Sequence, residues 1–207
     1  MATSGPLIQP HIIGSILVGG ASRRFEGGNK AAVIGPHVLA AMRGASIDPI
    51  IAIGGEPGVL PVPTVADRYP GEGPLAAVAT AATFAKSGWM VTATCDLPLI
   101  RAETFSALVA AVDVSAPLTA VVAAVDGTPQ VSLGCWPAAW ARPLHAAVRA
   151  GERRFRHLLT LGPVIQVEVA VDQLRDADDK ATLAELRATR ADVTDQSDMA
   201  GGGASGA

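Results

Sequence analysis

The sequence is poor in the residues that mark disulfide-stabilised, metal-binding and membrane-spanning proteins. Of its 207 residues only two are cysteines, Cys95 and Cys135, and neither lies in a CxxC pair. The histidines show no metal-ligand spacing around them, so two reduced thiols are expected, with a disulfide as the alternative. No apolar run reaches the roughly 18 residues of a membrane span, and no basic segment precedes the first apolar run as in a signal peptide. We therefore expect a soluble cytoplasmic protein without a membrane partner.

Aromatic residues and positive charge are also scarce. Aromatic residues make up 4% of the chain, too few for a surface that stacks single-stranded bases. The formal net charge of −3 argues against nucleic acid as the main partner. Hydrophobic residues, in contrast, make up 49%, which excludes a chain that is disordered throughout. The length suits one domain, predicted over residues 1–190, followed by a flexible tail rich in glycine and alanine over 191–207.

Segments with the length and apolar pattern of strands alternate along the chain with segments of helical pattern. Strands are predicted at 12–18, 50–53, 62–66, 89–94, 118–125, 131–136 and 164–171. Helices are predicted at 38–45, 74–86, 101–112, 138–150, 152–160 and 179–189. This alternation predicts an α/β fold with a mostly parallel sheet covered by helices on both faces. In such sheets ligands bind beyond the carboxyl ends of the strands.

The loop at residues 19–30 follows the first predicted strand and carries four glycines and three cations. Adjacent glycines let the backbone turn sharply and bring N–H groups close to an anion. The cations Arg23, Arg24 and Lys30 could then surround phosphate groups. The loop is neither a Walker A sequence nor a GxGxxG fingerprint. We interpret it as a phosphate-binding loop, with a solvated glycine-rich loop as the alternative.

Two further loops at the same edge of the predicted sheet carry a carboxylate each. Asp67 could accept a hydrogen bond from a base or sugar, or it could cap its own turn. Asp96 closes an apolar strand, where a carboxylate suits Mg²⁺ completed by water and substrate phosphates. The alternative for Asp96 is a capping role at the start of the helix predicted from residue 101.

Five segments carry a family resemblance. Residues 17–30 are similar to the motif LAGG-x-S-x-R-(M/F)-G-x-x-D-K, residues 70–75 to PGxGPL, and residues 95–99 to CDxPxL. Residues 151–159 are similar to a GER segment, and residues 174–178 to the closing FxDVDTPEDL motif. Together, over about residues 12–187, they resemble the molybdenum cofactor guanylyltransferases of the nucleotidyltransferase superfamily. The resemblance implies a three-layer α/β/α, Rossmann-like nucleotidyltransferase fold.

The resemblance also implies a reaction and its residues. GMP would pass from GTP to the terminal phosphate of the molybdenum–molybdopterin cofactor, and pyrophosphate would leave. By motif match, GTP would be bound by Leu17, Val18, Gly19, Gly20, Lys30, Asp67 and Asp96. Asp96 would also hold Mg²⁺, and Arg24 would neutralise the leaving pyrophosphate, so the implied catalytic residues are Arg24, Lys30 and Asp96. Asp176 and Asp178 match positions near the acceptor or a second metal.

The implied partners are small molecules. GTP and the molybdopterin cofactor would be the substrates of a monomer or small homo-oligomer, and molybdoenzyme-maturation proteins would be further partners. Three arginines of the GER segment, Arg153, Arg154 and Arg156, could meet the acceptor phosphate or form a solvated helix face.

The sequence departs from the family pattern in and after the first loop. Asn29 stands where the family usually has aspartate, which removes a charge that could orient Lys30. Glu26 is unfavourable among phosphates unless Arg23 or Arg24 pairs with it. The segment 31–49 is short, which predicts a reduced first helix. These departures keep two alternatives open: a non-catalytic relative that binds nucleotide or a partner protein, and a nucleotidyltransferase with another base or acceptor.

Overall fold

The computed structural model describes residues 10–19, 29–186 and 188. Seven strands in this part of the chain form one sheet, in the order β3-β2-β1-β4-β6-β5-β7. The strands are β1 (Ile12–Leu17), β2 (Ile50–Ile53), β3 (Thr64–Val65), β4 (Trp89–Thr94), β5 (Ala120–Val125), β6 (Thr128–Pro137) and β7 (Val164–Glu168).

Helices connect most of these strands. They are α1 (Lys30–Gly44), α2 (Pro74–Ala82), α3 (Ala102–Ala110) and α4 (Ala141–Arg149), and a further helix begins at residue 180. Short 3-10 segments lie at Ala138–Trp140, Phe155–Thr160 and Val171–Leu174. None of the helices in the described ranges combines the length and the apolar character needed to cross a membrane.

The sheet is mostly parallel, as predicted. β1 runs parallel to both β2 and β4, and β2 runs parallel to β3, so the carboxyl ends of these four strands meet at one edge. Only β6 runs against its neighbours β4 and β5. The turn between β5 and β6 falls at Asp126-Gly127, where φ is 49° and 68°. Both residues are left-handed, as a two-residue Asp-Gly hairpin turn requires, and the predicted turn is confirmed.

Alternate residues of the central strands pack into two separate cores. Ile16 of β1 and Val91 of β4 face the core formed with α1 and α3. Leu17 and Met90 face the opposite core, formed with α2 and α4. Because successive side chains of a strand point to opposite faces, this division gives three layers. The predicted α/β/α arrangement is confirmed.

The first helix is longer than the sequence predicted. The pattern predicted a helix only over 38–45, and the preceding residues Gly35 and Pro36 have low helix propensity. In the structure α1 already begins at Lys30, with the side chain of Asn29 accepting a hydrogen bond from Ala31 N at 3.0 Å. Burial of one helix face against the sheet outweighs the local propensities, as it does for many helices. The predicted extent of 38–45 was therefore wrong.

Other boundaries differ by smaller amounts. The region predicted as a helix over 138–150 is a 3-10 turn followed by α4, and only Phe155–Thr160 of the predicted helix at 152–160 is helical, in 3-10 form. β7 ends at Glu168, earlier than predicted. The predicted tail at 191–207 lies outside the described residues.

The C-terminal part of the described chain returns to α1. Ala177, Leu183 and Leu186 form a small buried cluster with Ile34 of α1 and Leu99. This cluster holds residues 175–178 beside the carboxyl end of β4, where the backbone N–H of Ala177 donates to the carbonyl of Asp96 at 3.1 Å.

Candidate functional site

A cavity of about 1020 Å³ opens at the edge of the sheet where the parallel strands β1 to β4 end. Residues predicted as site residues contribute to its lining: Leu17, Val18, Gly19, Lys30, Asp67 and Asp96. Much of the rest is formed by Gly54, Gly55, Pro70, Gly71, Gly73, Pro74, Thr94 and Asp178. Two predicted residues, Gly20 and Arg24, lie outside the described residues, as do Arg23 and Glu26.

Two glycine turns meet at the floor of the cavity. Gly54 has a φ of +74°, and a Cβ atom placed on it would lie 3.0 Å from the Cα of Gly19. Only glycine fits there, because the position is both left-handed and in close contact with another backbone. Sequence reasoning treated Gly54 and Gly55 simply as the end of a strand. The rule that sites form beyond the carboxyl ends of parallel strands would have found them.

The backbone amides at the end of β1 are already engaged within the sheet. Val18 N and Gly19 N both donate to the carbonyl of Ile53, at 3.0 and 3.2 Å. Leu17, Val18 and Gly19 therefore shape the cavity wall, while the amides of Val18 and Gly19 hold β1 to β2. The expectation that Gly19 supplies a free N–H to a phosphate does not agree with this geometry.

Lys30 lies at the centre of the charged part of the cavity. Its Nζ is 3.1 Å from Asp96 Oδ2 and 2.9 Å from Asp178 Oδ1, and its side chain is only 12% exposed. Burial disfavours the ammonium, but the hydrogen bonds and negative charges of Asp178 and Asp96 outweigh burial and raise the pKa of Lys30 above its ordinary value. Lys30 is thus a fixed cation at neutral pH.

The residue before Lys30 has a role that the sequence did not predict. Asn29 caps α1 through its side-chain oxygen, a role in which asparagine and aspartate are about equally effective. The orientation of Lys30 comes instead from Asp96 and Asp178. The loss of a charge at position 29 therefore does not leave Lys30 without a partner.

Three carboxylates converge on the same point. One oxygen each from Asp96, Asp176 and Asp178 lies within 4.8 Å of the others. Carboxylate oxygens are the donors that Mg²⁺ prefers, so the donor set fits this ion. The alternative that Asp96 caps α3 is not supported, because the N-cap residue of α3 is Arg101 and makes no side-chain cap bond.

Asp67 is held by its own loop and by α2. Its Oδ1 accepts hydrogen bonds from Tyr69 N at 3.0 Å and from the Thr80 hydroxyl at 2.8 Å. The hydroxyl oxygen of Thr80 accepts in turn from Arg68 N at 3.1 Å. The turn-capping role that was left open is therefore present, and Asp67 faces the cavity at the same time. Sequence reasoning missed Thr80, which is buried inside an alanine-rich helix.

Cys95 also lines the cavity, without the properties of a nucleophile. Burial, followed by the charge of Asp96, raises the pKa of the Cys95 thiol to about 12. A thiol in this state is protonated at neutral pH and unreactive. Both cysteines are free thiols, as expected.

Comparisons with known proteins agree with this architecture. A family profile described as "MobA-like NTP transferase domain" matches residues 14–171. Two curated proteins, both named "Probable molybdenum cofactor guanylyltransferase", are similar to parts of the chain. The one from Halalkalibacterium halodurans is 29% identical over 111 residues, which is 53% of this chain and 56% of that protein. The one from Carboxydothermus hydrogenoformans is 38% identical over 96 residues, which is 43% of this chain and 48% of that protein.

The matches thus span about half the length of these curated relatives. A solved structure extends the likeness of fold over most of the chain. The molybdopterin-guanine dinucleotide biosynthesis protein A of Archaeoglobus fulgidus superposes with a TM-score of 0.64 and 19% identity, covering 86% of this chain and 98% of that one. The profile covers every strand of the sheet except the first two residues of β1. On this extent of agreement, the chain belongs to the family of MobA-like NTP transferase domains.

Proposed function

We propose that this protein transfers GMP from GTP to the terminal phosphate of the molybdenum–molybdopterin cofactor, with release of pyrophosphate. The observation that carries the proposal is the junction of Lys30, Asp96 and Asp178 inside a cavity at the carboxyl ends of parallel strands. A fixed cation beside a carboxylate cluster is the arrangement that a triphosphate and its metal require.

The reaction itself needs little covalent chemistry from the protein. An oxygen of the acceptor phosphate forms a bond to the α-phosphorus of GTP, and the bond from that phosphorus to the bridging oxygen breaks. Pyrophosphate leaves with the electron pair of that bond. Because the attacking oxygen is already an anion, no side-chain nucleophile is required, in agreement with the protonated state of Cys95.

The protein must instead bring two anions together and hold them in line. Lys30 can do so because its ammonium faces the cavity from the first turn of α1. The N-terminal end of a helix also carries partial positive charge, which favours phosphate at this position. Arg24, by its resemblance to the superfamily arginine, would act on the leaving pyrophosphate.

Asp96 would hold Mg²⁺, with Asp176 and Asp178 as its neighbours. When bound, the ion would supply positive charge to the phosphate oxygens. Asp67, Pro70, Gly71, Gly73 and Pro74 would bind the guanosine. They line the cavity beyond β3, which β2 and β1 separate from β4 and Asp96. A cytoplasmic location, where GTP is available, and transfer of the product to molybdoenzyme-maturation proteins go with this proposal.

A nucleotide screen tests the proposal. With Mg²⁺, GTP at about 100 times its Kd should stabilise the protein by about 2.7 kcal/mol, or roughly 5–10 °C in Tm. ATP and CTP should give smaller shifts at the same concentration. Pyrophosphate release should then require GTP together with the molybdopterin cofactor.

The Asp96→Asn variant should lose at least about 10²-fold in pyrophosphate release and keep its Tm without ligand. Asp113→Asn is the matched control, because Asp113 is an exposed carboxylate that bonds to Ser115 in its own turn, away from the cavity. Equal activity of the two variants would contradict the proposed site. Negligible shifts with every nucleotide would favour the non-catalytic alternative, and a preference for CTP would favour a different donor.

A further inference from the structure

The loop at residues 67–73 has a second surface, which faces away from the cavity. Tyr69 contacts His145 of α4, with 5.6 Å between ring centroids and 2.9 Å between the hydroxyl oxygen and Nδ1. Glu72 forms an ion pair with the guanidinium of Arg153, in the turn that follows α4. The loop thus lies between the cavity and the α4 region.

The tip of this loop, residues 70–73, contains little that would hold its shape from within. Gly71 and Gly73 have φ values of +82° and +88°, in the left-handed region that glycine adopts without strain. Glycine loses more conformational freedom on ordering than any other residue, so two of them so close together make a loop easy to open. A single turn bond, from Glu72 N to Tyr69 O at 3.1 Å, crosses the tip. Contacts from outside therefore matter for its conformation.

The side chain of Arg153 is held in place by bonds other than the ion pair with Glu72. Its Nη1 donates to the carbonyls of Val148 at 2.7 Å and Glu152 at 2.8 Å. The Val148 carbonyl, in the last turn of α4, also accepts a hydrogen bond from Gly151 N at 3.1 Å, so Arg153 is tied to the end of the helix. An exposed ion pair usually contributes little, because two long side chains must be ordered to form it. Here one of the two is already fixed.

Arg154, the next residue, provides a contrast. It pairs with Glu152 in its own turn, and its side chain is 82% exposed. The hydrogen bond from the Arg154 side chain is the main cause that lowers the pKa of Glu152 to about 2. This pair closes the turn on itself and has no contact with the loop at 67–73.

We propose that Arg153 and Glu72 are positioning residues that hold the loop at 67–73 in the shape that receives the nucleotide. Residues 151–156 do not line the cavity, yet through this ion pair their turn determines one of its walls. The hypothesis that Arg153 meets the acceptor phosphate is replaced, because its guanidinium is engaged by Glu72 and two carbonyls. The effect on nucleotide binding rests on the proposed function, whereas the effect on the loop does not.

Hydrogen–deuterium exchange of the full-length protein tests the loop directly. Glu72→Gln and Arg153→Gln should each speed exchange at residues 68–73 by about three- to fivefold, the range expected for one exposed ion pair. The double variant should exchange no faster than either single variant, since both remove the same contact. Arg154→Gln, which removes the same charge one residue further on, should leave exchange in the loop unchanged.

Equilibrium binding of GTP with Mg²⁺ then tests the site. The Kd should rise by a similar factor in Glu72→Gln and Arg153→Gln, with the Tm without ligand unchanged and kcat at saturating substrate preserved. Loop exchange that is equal in the wild type and Arg153→Gln, or equal in Arg153→Gln and Arg154→Gln, would overturn the positioning role. A wild-type protein that binds no GTP but shows the predicted exchange pattern would refute the proposed function and leave the loop contact established.

Discussion

The two ends of the cavity are built in different ways. The charged end is formed by Lys30, Asp96 and Asp178. Lys30 is separated along the chain from Asp96 by 66 positions and from Asp178 by 148 positions. The loop end is formed by the loop at residues 67–73. It depends on hydrogen bonds of Asp67 to the nearby residues Tyr69 and Thr80, and on the contact between Tyr69 and His145 of α4. The charged end therefore exists only when the whole fold is complete. The loop end combines bonds formed within one short stretch of sequence with contacts from α4 and the turn after it.

This difference predicts different consequences of mutation. Substitutions at the charged end should reduce turnover and leave the fold intact, because Lys30, Asp96 and Asp178 are polar residues at the edge of the sheet and not part of its cores. At the loop end, changes to the bonds between Asp67 and Thr80 should weaken nucleotide binding and stability together, because these bonds both shape the loop and attach it to α2.

The largest effect is expected from Lys30→Met. Methionine keeps an unbranched side chain but removes the charge that balances Asp96 and Asp178. Turnover should fall by about 10²- to 10³-fold, and the Kd for GTP should rise, because a preorganised cation is lost. Pyrophosphate release and isothermal titration measure the two quantities. Lys86→Met, at an exposed position beyond α2, should leave both unchanged. Comparable losses in the two variants would show that position 30 has no special role.

A smaller effect is expected from Asp178→Asn. Asp178 is 62% exposed, so water screens its interaction with Lys30, and a loss of about three- to tenfold in kcat/KM is expected. Asp176→Asn is the matched comparison, since Asp176 belongs to the same carboxylate cluster while Lys30 bonds to Asp178. The variant at 178 should lose more activity than the variant at 176, and titration with Mn²⁺ should show weaker binding in both. The reverse order of activity would mean that the contact with Lys30 is not what matters.

The smallest effect on turnover is expected at the loop end, from Thr80→Val. Valine preserves the shape of Thr80 but deprives Asp67 and the amide of Arg68 of a buried partner. Stability should fall by about 1–2 kcal/mol, and the Kd for GTP should rise a few-fold, with kcat retained. Urea denaturation and nucleotide titration measure these changes. Thr83→Val, at the exposed C-cap of the same helix, removes a hydroxyl that donates to the Thr80 carbonyl and not to Asp67, and it should leave the Kd for GTP unchanged. An unchanged Kd in Thr80→Val would separate the loop from nucleotide binding.

The loops of the site could be predicted because a simple geometric rule applies to them. Strand patterns and the position of parallel strand ends were sufficient to place Asp67 and Asp96 at one edge, and Lys30 followed from the glycine-rich loop. The contact with Asp178 could be anticipated only as a family position. Nothing in the local sequence around 178 indicates that the chain returns to α1, because that return depends on the burial of Ala177, Leu183 and Leu186.

In the first helix, tertiary packing overrides what the local sequence indicates. Gly35 and Pro36 argue locally for a break, but a Cβ atom at position 35 would lie 2.9 Å from Leu60, so glycine is there for close packing. The packing of Leu60 against α1 therefore requires a glycine at position 35, although its helix propensity is low. Asn29 is a second case. In the sequence it stands out as the loss of a charge, whereas in the structure it caps α1, a role that depends on where the helix begins.

The return of the chain to α1 has a consequence for where the working unit ends. The family profile stops at residue 171, after the last strand of the sheet. A protein shortened to that boundary would keep all seven strands, yet it would lack the acidic side chains beyond residue 175 and leave Ile34 and Leu99 open to water. The stretch that the family profile recognises is therefore shorter than the stretch that forms the carboxylate cluster and the cluster of apolar residues behind it.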